Sequence, residues 1–482
     1  MSYQHGLYGS IIESSESINT STSIPVYFGI APMHRLEEKD RQINKPVLIR
    51  SKTEAARYLG FLESDDFKKF TLSAAVYAHF CNKILPIGPI VVVNVLNLKN
   101  ATSTTEEIAL VNGVAKIDKH VLIDSVTIQN YDIENDYELS YTAEGSLKIV
   151  FTNDAPPEKI SITYKTIDPD IVTTQDIIGT YDKKLEIRSG IKSLEDVYEE
   201  LNVIPTMLTA PGFNHQPDVR QALVSATKKI ADKWEATAFT DIDSNTVDNI
   251  EDAIKWKKSK AYNSNEEKVF WPMGVMGEKE IWLSVIGIVA KMQTDYQNNN
   301  IPYQSPSNKK IDISGIVAKG KNLKFSQNRA NDLNASGITT AIFNGGKYVL
   351  WGPHMANYEY GVTSKPEEIF DVNIFMQKYL LNDFQKRNGD EIDTAMNRHD
   401  VDRILNDEQD ILSSYVSAGQ LLYGTIAFKS EENAISDMIN GDFKFNTLVT
   451  NTPLGKSLTQ QVQYTSKGLL DAYSDNEEEE ES

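Results

Sequence analysis

Residues 90–95 (IVVVNV) form a continuous apolar run, and a strand that is apolar throughout is one covered on both faces. Residues 24–31 (IPVYFGIA) and 46–49 (PVLI) read as further buried strands, bounded by proline or polar turns. Ser51-Lys52-Thr53-Glu54 opens a helix, with Ser51 as the cap and Glu54 at the capping-box position. Residues 71–85 carry a second, amphipathic helix. The first hundred residues are therefore α/β.

From about residue 97 to 170 the pattern changes to short alternating runs at 108–111, 121–123, 126–128, 139–141, 147–151 and 160–164. Turn residues separate them, including Asn112-Gly113 and Asp154-Ala155-Pro156-Pro157, so this block reads as a small all-β sandwich or barrel inserted into the chain. Residues 171–325 return to α/β alternation. Strands are predicted at 205–210, 236–239 and 269–276, with helices at 217–234, 247–258 and 278–292.

Residues 338–343 and 347–351 are two strand-like runs joined by Asn344-Gly345-Gly346, which predicts a tight hairpin because the turn needs positive φ. Lys365-Pro366-Glu367-Glu368 then starts a helix that ends in Lys386-Arg387-Asn388-Gly389, with Ile369, Val372, Phe375, Met376, Tyr379 and Leu380 as its buried stripe. A second helix is predicted at 401–420, and β runs come after it at 423–428, 443–450 and 458–464. Asp475 and Glu477 to Glu481 form a like-charge tail that is expected to be disordered.

Several of these pieces together resemble the contractile tail sheath proteins. They are Leu333-Asn334-Ala335 with Gly337-Ile338, the strand, Gly-Gly, and the strand ending Trp351-Gly352, followed by a long amphipathic helix. Upstream, APGF.HQP.VRQAL from Ala210 to Leu223, SP.N at Ser305, Pro306 and Asn308, and the opening Gly6 and Tyr8 fit the same pattern. The resemblance implies a multidomain α/β (α+β) chain: a core from the N-terminal (24–96) and C-terminal (326–470) parts, an inserted β domain (97–170) and an inserted α/β domain (171–325). Extended arms lie at both ends, the first being 1–23, and the acidic tail is 471–482. It also implies a structural subunit rather than an enzyme. Six-fold rings of it stack helically around an inner tube, with baseplate and tail terminator proteins as further partners, and contraction drives the tube through a target cell envelope. Phage genome ejection and bacteriocin-type killing both fit. The expected location is a virion tail or tail-like particle, assembled in the host cytoplasm and released by lysis.

Residues 1–23 are poor in large apolar side chains after Ile12, so they read either as a frayed tail or as an arm that adds a strand to a neighbour. On the arm reading, Tyr3, Gly6, Tyr8, Ile11 and Ile12 at one end and Leu458, Val462 and Tyr464 at the other are the inter-subunit residues. Tyr360 and Tyr379 are further anchor candidates. Lys378, Lys386, Arg387, Arg398 and Arg403 concentrate positive charge in a chain of net charge −20. They read either as helix-end charge complementarity or as a face turned to an acidic tube.

That net charge repels phosphates, which argues against nucleic acid as a partner. The lone Cys81 excludes an intrachain disulfide, fits a reducing compartment and reads as a small buried thiol. No secretory leader and no bilayer-length apolar run is legible, so membrane insertion is not expected. Catalysis needs a constellation, and none is present: the seven histidines are scattered singly, without HxxxH or HExxH. No GxSxG, P-loop or GxGxxG occurs either. His399-Asp400 with Asp402 reads as a helix cap rather than a metal site, and Asp241 with Asp243 lacks a partner motif. No cofactor or metal is expected. Two other classes stay open: a tail-associated hydrolase built on 171–325, and an adhesin binding a cell surface through 97–170.

Overall fold

The computed structural model describes residues 19–473 apart from Glu134, Asp154 and Ser364, and it divides into a unit ending at Thr452 and a second one from Pro453. The first unit is built on an eight-stranded sheet. Across it lie Pro46–Ile49, Ile90–Asn94, Ile24–Gly29, Pro205–Thr209, Thr237–Asp241, Glu267–Phe270, Ile338–Asn344 and Lys347–Trp351. All strands between the two edges run parallel, and each edge strand is antiparallel to its neighbour. This corrects the division into a terminal core and a separate α/β domain at 171–325. Three of that segment's strands occupy the middle of the same sheet, and the Ile338–Asn344 hairpin extends it.

Period-two alternation puts Tyr27, Ile90 and Val92 on one face of the sheet and Val26, Phe28, Val91 and Val93 on the other. The first face is covered by helices Thr71–Phe80 and Leu283–Gln297, the second by Pro217–Ser225 and the short helix Val197–Leu201. The hairpin forms as predicted, one register on. Asn344 pairs with Lys347, so the turn positions are Gly345 and Gly346, at φ 58° and 80°.

The 97–170 block folds on its own core into two three-stranded sheets. One holds Val114–Ile117, Leu147–Phe151 and Tyr137–Tyr141, the other Thr102–Ala109, Lys159–Thr166 and Thr127–Ile128. The run at 121–123 is not a strand; Val121 and Leu122 are buried but enter a 3-10 turn. Three other local expectations shift. The helix expected over 217–234 stops at Ser225, and Ile230 folds back onto Trp234 with positive φ at Lys229, Ala231 and Asp232. The strand expected over 269–276 is two, Glu267–Phe270 and Met273–Met276, broken at Pro272, which has no N–H to give a ladder. Cys81 is half-buried at a helix end rather than buried.

The β block meets the sheet at a cluster of His34, Phe70, His120 and Tyr141. His34 is fully buried and, among the described residues, neither ring nitrogen has a hydrogen-bond partner. Burial, reinforced by Arg35, His120 and Arg41, holds its pKa well below the ordinary value, and burial takes His79 down to about 4. A base whose folded pKa is depressed contributes stability that is complete above its unfolded pKa and lost as pH falls below it. Each such histidine therefore withdraws about 1.4 kcal/mol per pH unit below about 6.5. Urea titrations at pH 7 and pH 5 are expected to show a loss of several kcal/mol for the native chain, and a loss smaller by about 2 kcal/mol for His34→Phe. An equal loss in the variant excludes His34 as the source.

Candidate assembly surface

A doubly wound sheet binds ligands outside the carboxyl ends of its strands, where the strand order turns. Here that point lies between Ile24–Gly29 and Pro205–Thr209. Ile30, Phe70, Leu96, Leu122 and Ile167 fill it with a closed apolar cluster, and Phe213 packs against them. Asp241 beside it is wholly buried, and burial raises its pKa to about 6 against the opposing hydrogen bonds from Ser284 and Asn214. Its two oxygens are used to tie the strand to helix Leu283–Gln297. Asp243 caps its own turn through Thr246 and Asn245. His399 and Asp400 sit in the first turn of helix Arg398–Ser417, where Asn397 and Asp400 form a capping box. Among the described residues no group of three or more His, Cys, Asp or Glu is placed to hold a metal, and no helix is long and apolar enough to cross a membrane.

The unsatisfied chemistry lies elsewhere. Leu421–Ala427 and Asn446–Asn451 form an antiparallel two-stranded sheet, and among the described residues no third strand joins either side. One face is seated by Leu421 and Ile426 on Met376, Leu412 and Tyr415, from helices Asp371–Arg387 and Arg398–Ser417. Leu422, Tyr423 and Leu448 stand exposed beside it at 57%, 53% and 56%. The Gln409 side chain covers part of the Leu421–Ala427 edge, through Ile426 N–H and Gly424 O, so the Asn446–Asn451 edge, with the bare apolar side chains, is the template for an added strand. The large sheet is protected by contrast: its Lys347–Trp351 edge is covered by residues 308–311, through Asn308 N–H to Leu350 O, Leu350 N–H to Lys309 O and Ile311 N–H to Tyr348 O.

The arm residues fall in two groups. Tyr3, Gly6, Tyr8, Ile11 and Ile12 lie outside the described residues. Leu458, Val462 and Tyr464 belong to the second unit and are 93%, 84% and 83% exposed; the β run expected at 458–464 has no strand partner among the described residues of its own chain.

The cation group is largely spoken for. Lys378 is corrected outright: it points into the amino edge of the sheet, pairs with Glu266 and donates to Ala236 O. Burial lowers its pKa against the pull of Glu266. Arg387 pairs with Asp383 and Glu408, Arg398 with Asp402, and Arg403 with Glu391 and Asp407. Lys386 makes no ion pair among the described residues. Tyr379 meets Tyr415 through their hydroxyls at 3.2 Å, whereas Tyr360 is exposed.

Sequence reasoning missed the buried charges that join the C-terminal part to the sheet. Lys268 Nζ, wholly buried, donates to Asp371 Oδ2 at 2.9 Å, Gly352 O at 2.8 Å and His354 O at 3.2 Å. Glu267 beside it pairs with Arg220. The residue string there, Glu266-Glu267-Lys268, looks like an exposed turn; the only local signal is Val269-Phe270-Trp271 directly after it.

This arrangement, a doubly wound sheet with an inserted β block and a C-terminal helix pair carrying a hairpin, shares its fold with solved chains of contractile injection systems and tail sheaths. It matches, in particular, a chain of the anti-feeding prophage (AFP) baseplate seen by cryo-EM, at a TM-score of 0.57 and 12% identity over 96% of this chain and 100% of that one. An extracellular contractile injection system's PVC sheath complex in its contracted state gives 0.56 at 12% identity, over 97% and 100%. The sheath tail protein of Desulfitobacterium hafniense gives 0.51 at 8% identity, over 88% and 94%. No family model and no curated protein matches the sequence.

Proposed function

We propose that this chain is the subunit of a contractile sheath, whose copies stack as six-fold rings around an inner tube and shorten to drive that tube through a cell envelope. Its role is mechanical rather than catalytic, in a phage tail or a headless tail-like particle. Baseplate and terminator proteins bound the assembly. The observation that carries this reading is the Leu421–Ala427 and Asn446–Asn451 sheet, which no third strand joins among the described residues, together with the exposed Leu458, Val462 and Tyr464 further along the chain.

Strand addition from one copy to another explains how rings stay connected while they rotate. Pulling an added strand free orphans several backbone hydrogen bonds together, each left unmade at a cost of about 1–3 kcal/mol if buried. Contraction itself is a choice between two packings of the same linked copies. A difference on the order of a few kcal/mol per copy then adds along the whole sheath.

Negative-stain microscopy tests the proposal. The purified full chain is expected to form ribbed cylinders. Removing residues 1–18, or 453–482, is expected to leave a folded subunit of near-native melting temperature that builds no long sheath. Ordinary cylinders from both truncations contradict strand exchange.

A further inference from the structure

The segment Asn19-Thr20-Ser21-Thr22-Ser23 is polar throughout and has no apolar side chain to bury, yet it is pinned at every residue. Asn19 and Thr20 pair in parallel with Ile87 and Gly88, and Asn19 Nδ2 donates to Pro86 O at 3.0 Å. Ser21 N–H donates to Gly88 O at 2.7 Å, Thr22 N–H to Asn300 Oδ1 at 3.2 Å, and Ser23 N–H to Ser21 Oγ at 3.1 Å. Ser23 Oγ reaches Asp295 Oδ2 at 2.7 Å. Asp295 is wholly buried, pairs with Lys291 one turn earlier on helix Leu283–Gln297, and Lys291 Nζ lies 4.5 Å from the Phe375 ring centre. The arm expected over 1–23 is corrected here, since residues 19–23 pair with their own chain rather than extend away from it; the catalytic and metal-binding readings use none of these groups.

The strand that begins immediately after Ser23 gives the pins a mechanical purpose. Ile24 opens Ile24–Gly29, an interior strand held by Pro205–Thr209 on one side and Ile90–Asn94 on the other. Tension on the preceding chain acts along that strand, and its first ladder bonds would open next if nothing upstream resisted. A hydrogen bond to a buried carboxylate is among the stronger single contacts a serine can make. Asp295 is in turn anchored in a helix that lies under the sheet.

We propose that residues 19–23 form a clamp at the root of the N-terminal arm, with Ser23 and Asp295 as its positioning residues. The clamp takes the pull of a neighbouring copy and keeps the Ile24–Gly29 strand seated while the sheath contracts. This rests on the reading that a second copy holds the residues before Asn19.

Two measurements on full-length Ser23→Ala and Asp295→Asn decide it. In the isolated subunit, amide exchange at Ser21 and Thr22 is expected to quicken on the order of tenfold or more, the effect of losing one charge-assisted hydrogen bond. Ser23→Ala should keep a near-native melting temperature and build extended sheaths. After contraction its sheaths are expected to be broken into stacks several-fold shorter than native ones. Unchanged exchange at Thr22, or contracted Ser23→Ala sheaths of native length, overturns the clamp. The deletion of residues 1–18 keeps the two ideas apart. Normal sheaths from that deletion remove the arm reading, while the exchange rates still report on the clamp alone.

Discussion

Replacing Lys268 by Met is expected to cost the subunit about 3–5 kcal/mol, the typical penalty for removing one partner of a buried ion pair. That is a large share of a stability on the order of 5–15 kcal/mol. The reason is local. Asp371 opens helix Asp371–Arg387 and is wholly buried; among the described residues only Ser305 Oγ, at 2.9 Å, is left to the carboxylate once the ammonium is gone, and its Oδ1 already has no partner there. Gly352 O and His354 O lose the ammonium in the same step, Gly352 O keeping Thr339 Oγ1 at 3.3 Å. Burial lowers the pKa of Lys268 and the adjacent carboxylate opposes that. Urea denaturation of the isolated subunit measures the effect. Lys268→Met with Asp371→Leu is expected to recover part of the loss, because an apolar pair leaves no stranded charge. A single variant within about 1 kcal/mol of the native chain shows that the C-terminal helix is not joined to the sheet through this pair.

Much of this architecture is legible in the residues. The Ile90 run announces a strand covered on both faces, and the 338–351 hairpin announces itself through two adjacent glycines, although the register moves by one residue. Alternation and turn residues also delimit the β block. What the pattern does not carry is partnership over distance. Strands Pro205–Thr209, Thr237–Asp241 and Glu267–Phe270 look like a self-sufficient α/β unit. Nothing local says that Ile24–Gly29 and Ile338–Asn344 flank them. Buried charge is equally silent: a lysine reads as exposed, yet Lys268 and Lys378 both point inward because a carboxylate meets them there.

The residues of the proposed assembly surface are legible in a different way. Leu458, Val462 and Tyr464 have strand-like alternation but no strand partner among the described residues of their own chain. The corresponding template, Leu421–Ala427 with Asn446–Asn451, reads as two ordinary β runs, because an open edge is a property of what is missing beside a strand. Period and propensity describe one chain, and a strand completed by another copy satisfies neither copy alone.

Strand addition makes a large expected change at those edges. In an antiparallel pair, alternate amides on each strand point away from the partner. In the isolated subunit the Gln409 side chain already meets Ile426 N–H and Gly424 O on the outer side of Leu421–Ala427, whereas among the described residues no strand meets the outward amides of Asn446–Asn451. An added strand gives each of them a carbonyl, in a ladder that opens only by local unfolding. Hydrogen–deuterium exchange, read residue by residue on the free subunit and on assembled sheath, is the most direct measurement. Outward amides of Asn446–Asn451 are expected to slow by on the order of a hundredfold or more upon assembly. Outward amides that exchange as fast in the sheath as in the free subunit contradict linkage through added strands.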